Sequence, residues 1–130
     1  MLIVTIRTDK PEAELGIYKE LQQVSYHTWL AHRQLAETIH QTLRQLLHDH
    51  NLQLSDIEGI VAFKGPGSFT GLRIGLSVAN ALAYGLGVPI VASEDPEWLE
   101  GGTERLLQGE SEITALPEYG ALPNITVQKK

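Results

Sequence analysis

The segment KGPGSFTGLRIG, residues 64–75, decides the fold because it joins a predicted strand to a predicted helix. Residues 57–63 before it are mostly apolar and include three β-branched residues, which is typical of a buried strand. Glycines permit positive φ and allow the backbone to approach another group closely. A glycine turn between a strand and a helix points free N–H groups at one place, where an anion can bind.

The spacing of this turn matches neither standard phosphate motif. A dinucleotide fingerprint, G-x-G-x-x-G, requires its third glycine one residue before Gly71, and the Gly-Lys-Ser/Thr of a Walker A loop is absent. Both a direct contact with a nucleotide and a purely structural turn therefore stay open. The hydroxyls of Ser68 and Thr70 suit a turn or a helix N-cap, since no G-x-S-x-G elbow is present and no base can be assigned. No catalytic residue is predicted, and the candidate turn residues are Gly65, Pro66, Gly67, Ser68, Thr70 and Gly71.

Hydrophobic periodicity around this segment predicts the other elements. Strands are expected over residues 2–7, 15–20 and 23–30, followed by a helix over 31–50. The strand at 57–63 and the helix Thr70–Leu86 come next, then a strand at 89–92 and a short helix over 96–107. The order β-β-β-α-β-α-β predicts an α/β fold in which helices pack on a mixed sheet. Residues 1–93 form the predicted domain, and 94–130 an acidic connector with a short helix and an extended tail.

The helix Thr70–Leu86 is apolar around most of its circumference, whereas a helix on one sheet needs a single apolar stripe. We expect either a partner on this helix or burial under the C-terminal segment. Small residues along it suggest close approach of a second helix. The predicted partner-binding residues on the two long helices are Leu72, Gly75, Leu76, Ala79, Leu82, Ala83, Leu86, Leu35, Ile39 and Leu43.

Composition and charge exclude several classes of protein. The 130 residues include no cysteine, so disulfides and thiolate metal sites are excluded. The net charge is −6, and residues 94–118 carry eight acids against one base. Without a basic stripe, the chain is not expected to bind a nucleic acid alone. The N-terminus resembles a first strand rather than a signal peptide, and the cytoplasm is the expected location.

Histidines do not predict a metal site. His32, His40 and His48 are spaced eight residues apart, so they spiral around a helix and do not converge on one ion.

The stretch Gly65 to Gly75, with residues 54–57 before it and 81–89 after it, closely resembles the signature of the TsaB family, also called YeaZ. TsaB is a subunit of the bacterial machinery that makes threonylcarbamoyladenosine in tRNA. The resemblance covers residues 1–93 and implies one actin-like ATPase (ribonuclease-H-like) lobe. It also implies a non-catalytic subunit that pairs with the catalytic subunit TsaD through the helices at 31–50 and 70–86.

The resemblance further implies homodimers through the same surface, and an ATPase subunit, TsaE, that joins the assembly. No cofactor of its own is expected, ATP being left to the complex with the partner, and tRNA is reached only through that complex.

Three departures from the family pattern affect these expectations. Most of a second lobe is missing after Ser93, although residues 117–120 resemble the end of longer members, which suggests an internal deletion. The position at the end of the first strand, where actin-like ATPases commonly have a metal-binding carboxylate, is Arg7, and this argues against ATP hydrolysis unless Asp9 substitutes. The histidine that the family often has at the start of its first helix falls on Leu35.

The resulting hypothesis is a shortened TsaB-like scaffold that stabilises a TsaD-like transferase. The alternative is a small nucleotide-binding ATPase of the actin-like superfamily, and a third possibility is a degenerate regulator that only homodimerises.

Overall fold

The computed structural model of the protein describes residues 1–31, 34–65 and 70–112. Three strands come first: β1 at Leu2–Arg7, β2 at Glu12–Lys19 and β3 at Gln22–Leu30. Helix α1 at Leu35–Asp49 and strand β4 at Gly59–Gly65 follow. The described chain continues with α2 at Thr70–Leu86, β5 at Ile90–Glu94 and α3 at Trp98–Leu107. The predicted element order is confirmed.

The five strands form one mixed sheet in the order β3-β2-β1-β4-β5. β1, β2 and β3 pair antiparallel as a meander. β4 and β5 run parallel to β1, because α1 and α2 provide the crossover connections that parallel neighbours need. β1 is therefore the central strand, and the carboxyl ends of β1, β4 and β5 meet at the same edge of the sheet.

Several boundaries differ from the prediction for local reasons. β2 begins at Glu12, three residues before the predicted start, because Glu12 pairs with Leu30 on β3. α1 begins at Leu35 rather than at residue 31, because the Ala31 N–H donates to the Pro11 carbonyl and so continues the connection from β3. α2 ends where predicted: Gly87 has φ +69°, and its N–H donates to the Tyr84 carbonyl.

The core lies on both faces of the sheet. α1 and α2 pack side by side on one face, where Leu35 and Ile39 of α1 form a cluster with Val78 of α2. α3 covers the other face over β4 and β5, where Trp98 packs edge-on against Phe63. The short helix predicted in the 94–130 segment is thus part of the domain's core.

Several predicted features lie outside the described residues. They are His32, Pro66, Gly67, Ser68 and the tail from residue 113 onward.

Candidate functional site

Arg7, at the carboxyl end of the central strand, donates hydrogen bonds to two acidic side chains. Its Nε donates to Asp9 Oδ1 at 2.8 Å and its Nη2 to Asp9 Oδ2 at 3.2 Å. Its Nη1 and Nη2 also donate to the two carboxylate oxygens of Asp95, at 3.3 and 3.1 Å. The guanidinium lies 3.8 Å from the centre of the Phe63 ring, a cation–π contact. One cation therefore joins the end of β1 to the loop between β5 and α3.

The environment of Arg7 keeps it charged. Burial works to lower the pKa of the Arg7 guanidinium, but the hydrogen bonds and charges of Asp9 and Asp95 outweigh burial and raise that pKa above its ordinary value. The side chains of Arg7 and Asp9 are each only 11% exposed, whereas that of Asp95 is 50% exposed. The position that resembles the metal-binding carboxylate of actin-like ATPases thus holds a largely buried, permanent cation.

Asp9, the candidate substitute for that carboxylate, is engaged by this cation. Both of its oxygens accept hydrogen bonds from Arg7, so a Mg²⁺ ion bound there would be repelled by the adjacent guanidinium charge. Within residues 1–31, 34–65 and 70–112, no group of three or more His, Asp or Glu side chains could hold a metal ion.

Thr8, directly after β1, is in very close contact with the first turns of α2. Its hydroxyl donates to the Gly71 carbonyl at 2.7 Å. A β-carbon at Gly71 would lie 2.7 Å from the Thr8 carbonyl oxygen. One at Gly75 would lie 2.0 Å from Thr8 Oγ1. The two glycines at this end of α2 therefore accommodate Thr8, the residue that follows the central strand.

A cavity of 660 Å³ opens beside this contact, between the turn after β1 and the first turns of the two long helices. Pro11, Ala31 and Leu35 contribute apolar surface, and Lys10 lies at its wall. Gly65, at the end of β4, has φ +116°, so the glycine turn begins with a conformation that L side chains rarely adopt.

Most predicted partner-binding residues are buried in the chain's own core, which corrects the choice made from the sequence. Ala79 is 0% exposed and Ala83 is 5% exposed. Only Leu82 and Leu86 of that set are partly exposed. The buried members are Leu72, Gly75, Leu76, Ala79, Ala83, Leu35, Ile39 and Leu43. These residues are buried because α2 divides its apolar circumference between the sheet and α1.

A different strip of α2 faces outward. It consists of Arg73, Ser77, Ala81 and Tyr84, spaced four, four and three residues apart, and we name it the outer face of α2. All four residues are exposed, and Tyr84 is 91% exposed. A tyrosine so exposed is the kind of anchor that protein interfaces use.

The histidines of α1 and the tryptophan of β3 have different environments. His40 and His48 are exposed along α1. The Trp29 indole N–H donates to Thr38 Oγ1 of α1 at 3.0 Å, so it fixes β3 to that helix. No helix in the described part of the chain is long and apolar enough to cross a membrane.

Comparison with known proteins identifies the relatives of this fold. The family described as TsaD: tRNA N6-adenosine threonylcarbamoyltransferase matches residues 26–99. A transferase of that name from Syntrophus aciditrophicus is 45% identical over 62 residues, which are 48% of this chain and 18% of the relative. The tRNA threonylcarbamoyladenosine biosynthesis protein TsaB of Bacillus subtilis is 33% identical over 100 residues. That match spans 76% of this chain and 43% of the relative.

A solved structure of a YeaZ protein also matches this chain. YeaZ from Pseudomonas aeruginosa superposes with a TM-score of 0.65 at 28% identity, over 72% of this chain and 44% of that one. The chain thus spans less than half the length of each of these relatives. The fold is the actin-like, ribonuclease-H-like α/β fold of YeaZ. With the family match over residues 26–99, these likenesses show that the chain belongs to the TsaD family as a TsaB/YeaZ homologue.

Proposed function

We propose that this chain is a non-catalytic scaffold subunit that binds and stabilises a TsaD-like transferase in the threonylcarbamoyladenosine modification of tRNA. The observation that carries the proposal is the outer face of α2, an exposed strip with one prominent tyrosine on a helix inside the matched region. The names of the B. subtilis and S. aciditrophicus relatives supply the pathway and the partner's chemistry.

The outer face of α2 suits a helix of the partner. Ser77 and Ala81 are small, so a second helix can approach the backbone between Arg73 and Tyr84. Tyr84 offers a large apolar ring with a polar tip, which suits a contact that is buried only in the complex. A homodimer of the isolated chain through this strip would compete with the transferase for it.

The end of β1 supports the non-catalytic part of the proposal. A Mg²⁺–ATP complex requires carboxylates that are free to bind the ion or its waters. Arg7 occupies the position where actin-like ATPases commonly have such a carboxylate, and it donates hydrogen bonds to both carboxylate oxygens of Asp9. In this proposal, ATP is bound only in the complex with the partner, and a TsaE-like ATPase joins the larger assembly.

The charge distribution supports an indirect role toward tRNA. The chain carries a net charge of −6, so it has little with which to neutralise phosphates. We therefore assign the tRNA contact to the complex and not to this subunit alone.

Co-expression with the TsaD homologue from the same genome tests the scaffold role. We expect a stoichiometric complex on gel filtration, and tRNA modification by the transferase that depends on this chain. The isolated chain should show no ATP turnover. Turnover that disappears in the Asp9→Asn variant would favour a small actin-like ATPase instead.

A further inference from the structure

Within the described residues, one edge strand of the sheet is covered and the other is not. The β5 edge is covered: the Glu112 N–H donates to the Ile90 carbonyl at 2.8 Å, and the Ala92 N–H donates to Glu112 Oε2 at 2.7 Å. Arg105 completes the cover by donating to the Ala92 carbonyl at 2.7 Å and to Glu112 at 3.0 Å. Backbone groups that could pair with another strand are thereby occupied.

The β3 edge has no such cover in the described residues, where no strand or bridge lies beyond it. The sequence of β3, QQVSYHTWL, contains no lysine, arginine, acid or proline, which are the residues that usually protect an edge. Exposed apolar side chains also concentrate here. Leu30 is 60% exposed, and Leu21, just before β3, is 55% exposed.

We propose that β3 pairs antiparallel with β3 of a second copy of this chain, which joins the two sheets into one of ten strands. A bulge interrupts β3 at Val24, where the ladder shifts between Ile17 and Tyr18. Regular pairing is therefore confined to residues 25–30.

The register follows from symmetry. In a two-fold pair, opposite residues must face the same side of the sheet, so the axis passes through a residue and not between two. β3 ends at Leu30, which limits pairing on that side. An axis at His27 keeps the pairs within the regular stretch. Ser25 then lies opposite Trp29 of the second copy, Tyr26 opposite Thr28, and His27 opposite itself.

Charge favours a second copy as the occupant. Residues 94–112 carry seven acids against Arg105 alone, and they follow the strand at the other end of the sheet. At about 4.8 Å per strand, joining two copies at β3 separates their β5 strands by roughly 40 Å, several times the Debye length of about 8 Å. β3 itself contains no lysine, arginine or acid, so no permanent charges meet at this edge.

This contact is independent of the proposed transferase contact. α2 lies over β1, β4 and β5, so its outer face stays free when β3 is paired. The two contacts together would produce an assembly with two copies of each subunit.

Sedimentation velocity of the full chain, at concentrations up to tens of micromolar, tests the proposal. We expect a weak dimer in the parent chain. His27→Lys and His27→Glu each put like charges on the axis and should raise the dimer dissociation constant about tenfold or more. Because His27 is exposed, both variants should keep the parent circular dichroism spectrum. An equimolar mixture of the two should form a heterodimer, since lysine then faces glutamate.

Control variants separate this contact from others. Gln108→Lys and Gln108→Glu carry the same charge changes on the far side of the molecule and should leave the dimer unchanged. Ala81→Glu, on the outer face of α2, should also leave it unchanged. A parent chain that stays monomeric, a dimer insensitive to both His27 variants, or a mixture that does not associate would each overturn the proposal. A dimer lost through Ala81→Glu alone would place the contact on α2 instead.

Discussion

Gly75 of α2 lies so close to Thr8, which follows β1, that a β-carbon on Gly75 would be 2.0 Å from Thr8 Oγ1 and 2.9 Å from Thr8 Cγ2. Thr8 cannot move aside easily, because its hydroxyl donates to the Gly71 carbonyl and its side chain is buried. The absence of a side chain at Gly75 thus sets the distance between α2 and the central strand.

Gly75→Ala should lower the free energy of unfolding by about 1–3 kcal/mol, because the new methyl group overpacks a fixed contact. Gly85→Ala is the matched control on the same helix, since nothing lies within 4 Å of a β-carbon there. The control should be neutral or stabilise the fold by up to about 1 kcal/mol. Urea unfolding measures both. The cost of Gly75→Ala should shrink in a Thr8→Ala background, and equal costs in both backgrounds would show that Thr8 is not the obstacle.

Glutamate on the inner side of α2 should unfold the chain, in contrast to the outer side. Ala79→Glu and Ala83→Glu bury an unpaired charge against the sheet and should cost about 3–5 kcal/mol each. Ala81→Glu, between them in sequence but exposed, should leave the melting temperature within a few degrees of the parent. Thermal unfolding by circular dichroism makes the comparison. Folded Ala79→Glu and Ala83→Glu variants would contradict the burial described here.

Arg7→Met should destabilise the fold more than Asp95→Asn does. Removing the guanidinium leaves the largely buried Asp9 carboxylate without its partner, at a cost of about 2–4 kcal/mol. Asp95 is half-exposed and water can replace its contacts, so Asp95→Asn should cost no more than about 1 kcal/mol. Chemical denaturation compares the two variants. Equal effects would mean that the hydrogen bonds between Arg7 and Asp95, and not the pair with Asp9, stabilise the carboxyl end of β1.

Stability should fall at alkaline pH through Tyr26. Burial and the hydrogen bond to Glu14 raise the pKa of Tyr26 well above its ordinary value of 10.0. A raised pKa in the folded state gives stability that is complete below the ordinary value and is lost as pH rises above it. Burial raises the pKa of Tyr18 as well, so part of the effect remains without Tyr26. Urea midpoints at pH 8 and about pH 11 should differ less in Tyr26→Phe than in the parent chain. A difference of the same size in both would exclude Tyr26 as the cause.

Features that depend on residues close together in the sequence could be predicted from the sequence. Strand and helix order follow from periodicity, and the end of α2 follows from Gly87, whose positive φ stops the helix. The sides of α2 were not predictable in the same way, because the contacts of Gly71 and Gly75 involve Thr8, more than 60 residues earlier. The four-residue spacing of these two glycines was a signal of close approach, but it did not indicate what approaches.

The contacts at the carboxyl end of β1 could not be predicted either, because they also join residues that are distant in sequence. Arg7 was noted as a departure from a family pattern, but its partner Asp95 lies 88 residues away and had no local signature. Only the parallel arrangement of β1, β4 and β5 places the two side chains together. Long-range ion pairs of this kind are decided by topology, which a periodic pattern specifies only in outline.

Binding of the TsaD homologue to the parent chain, to Ala81→Glu and to Gln108→Glu, measured by calorimetry, tests the central claim most directly. Both variants add one exposed negative charge, the first on the outer face of α2 and the second on the opposite side of the sheet. We predict that Ala81→Glu weakens binding at least about tenfold, or about 1.4 kcal/mol, while Gln108→Glu binds as the parent does. Unchanged binding by a folded Ala81→Glu variant, or no binding by the parent chain, would contradict the account.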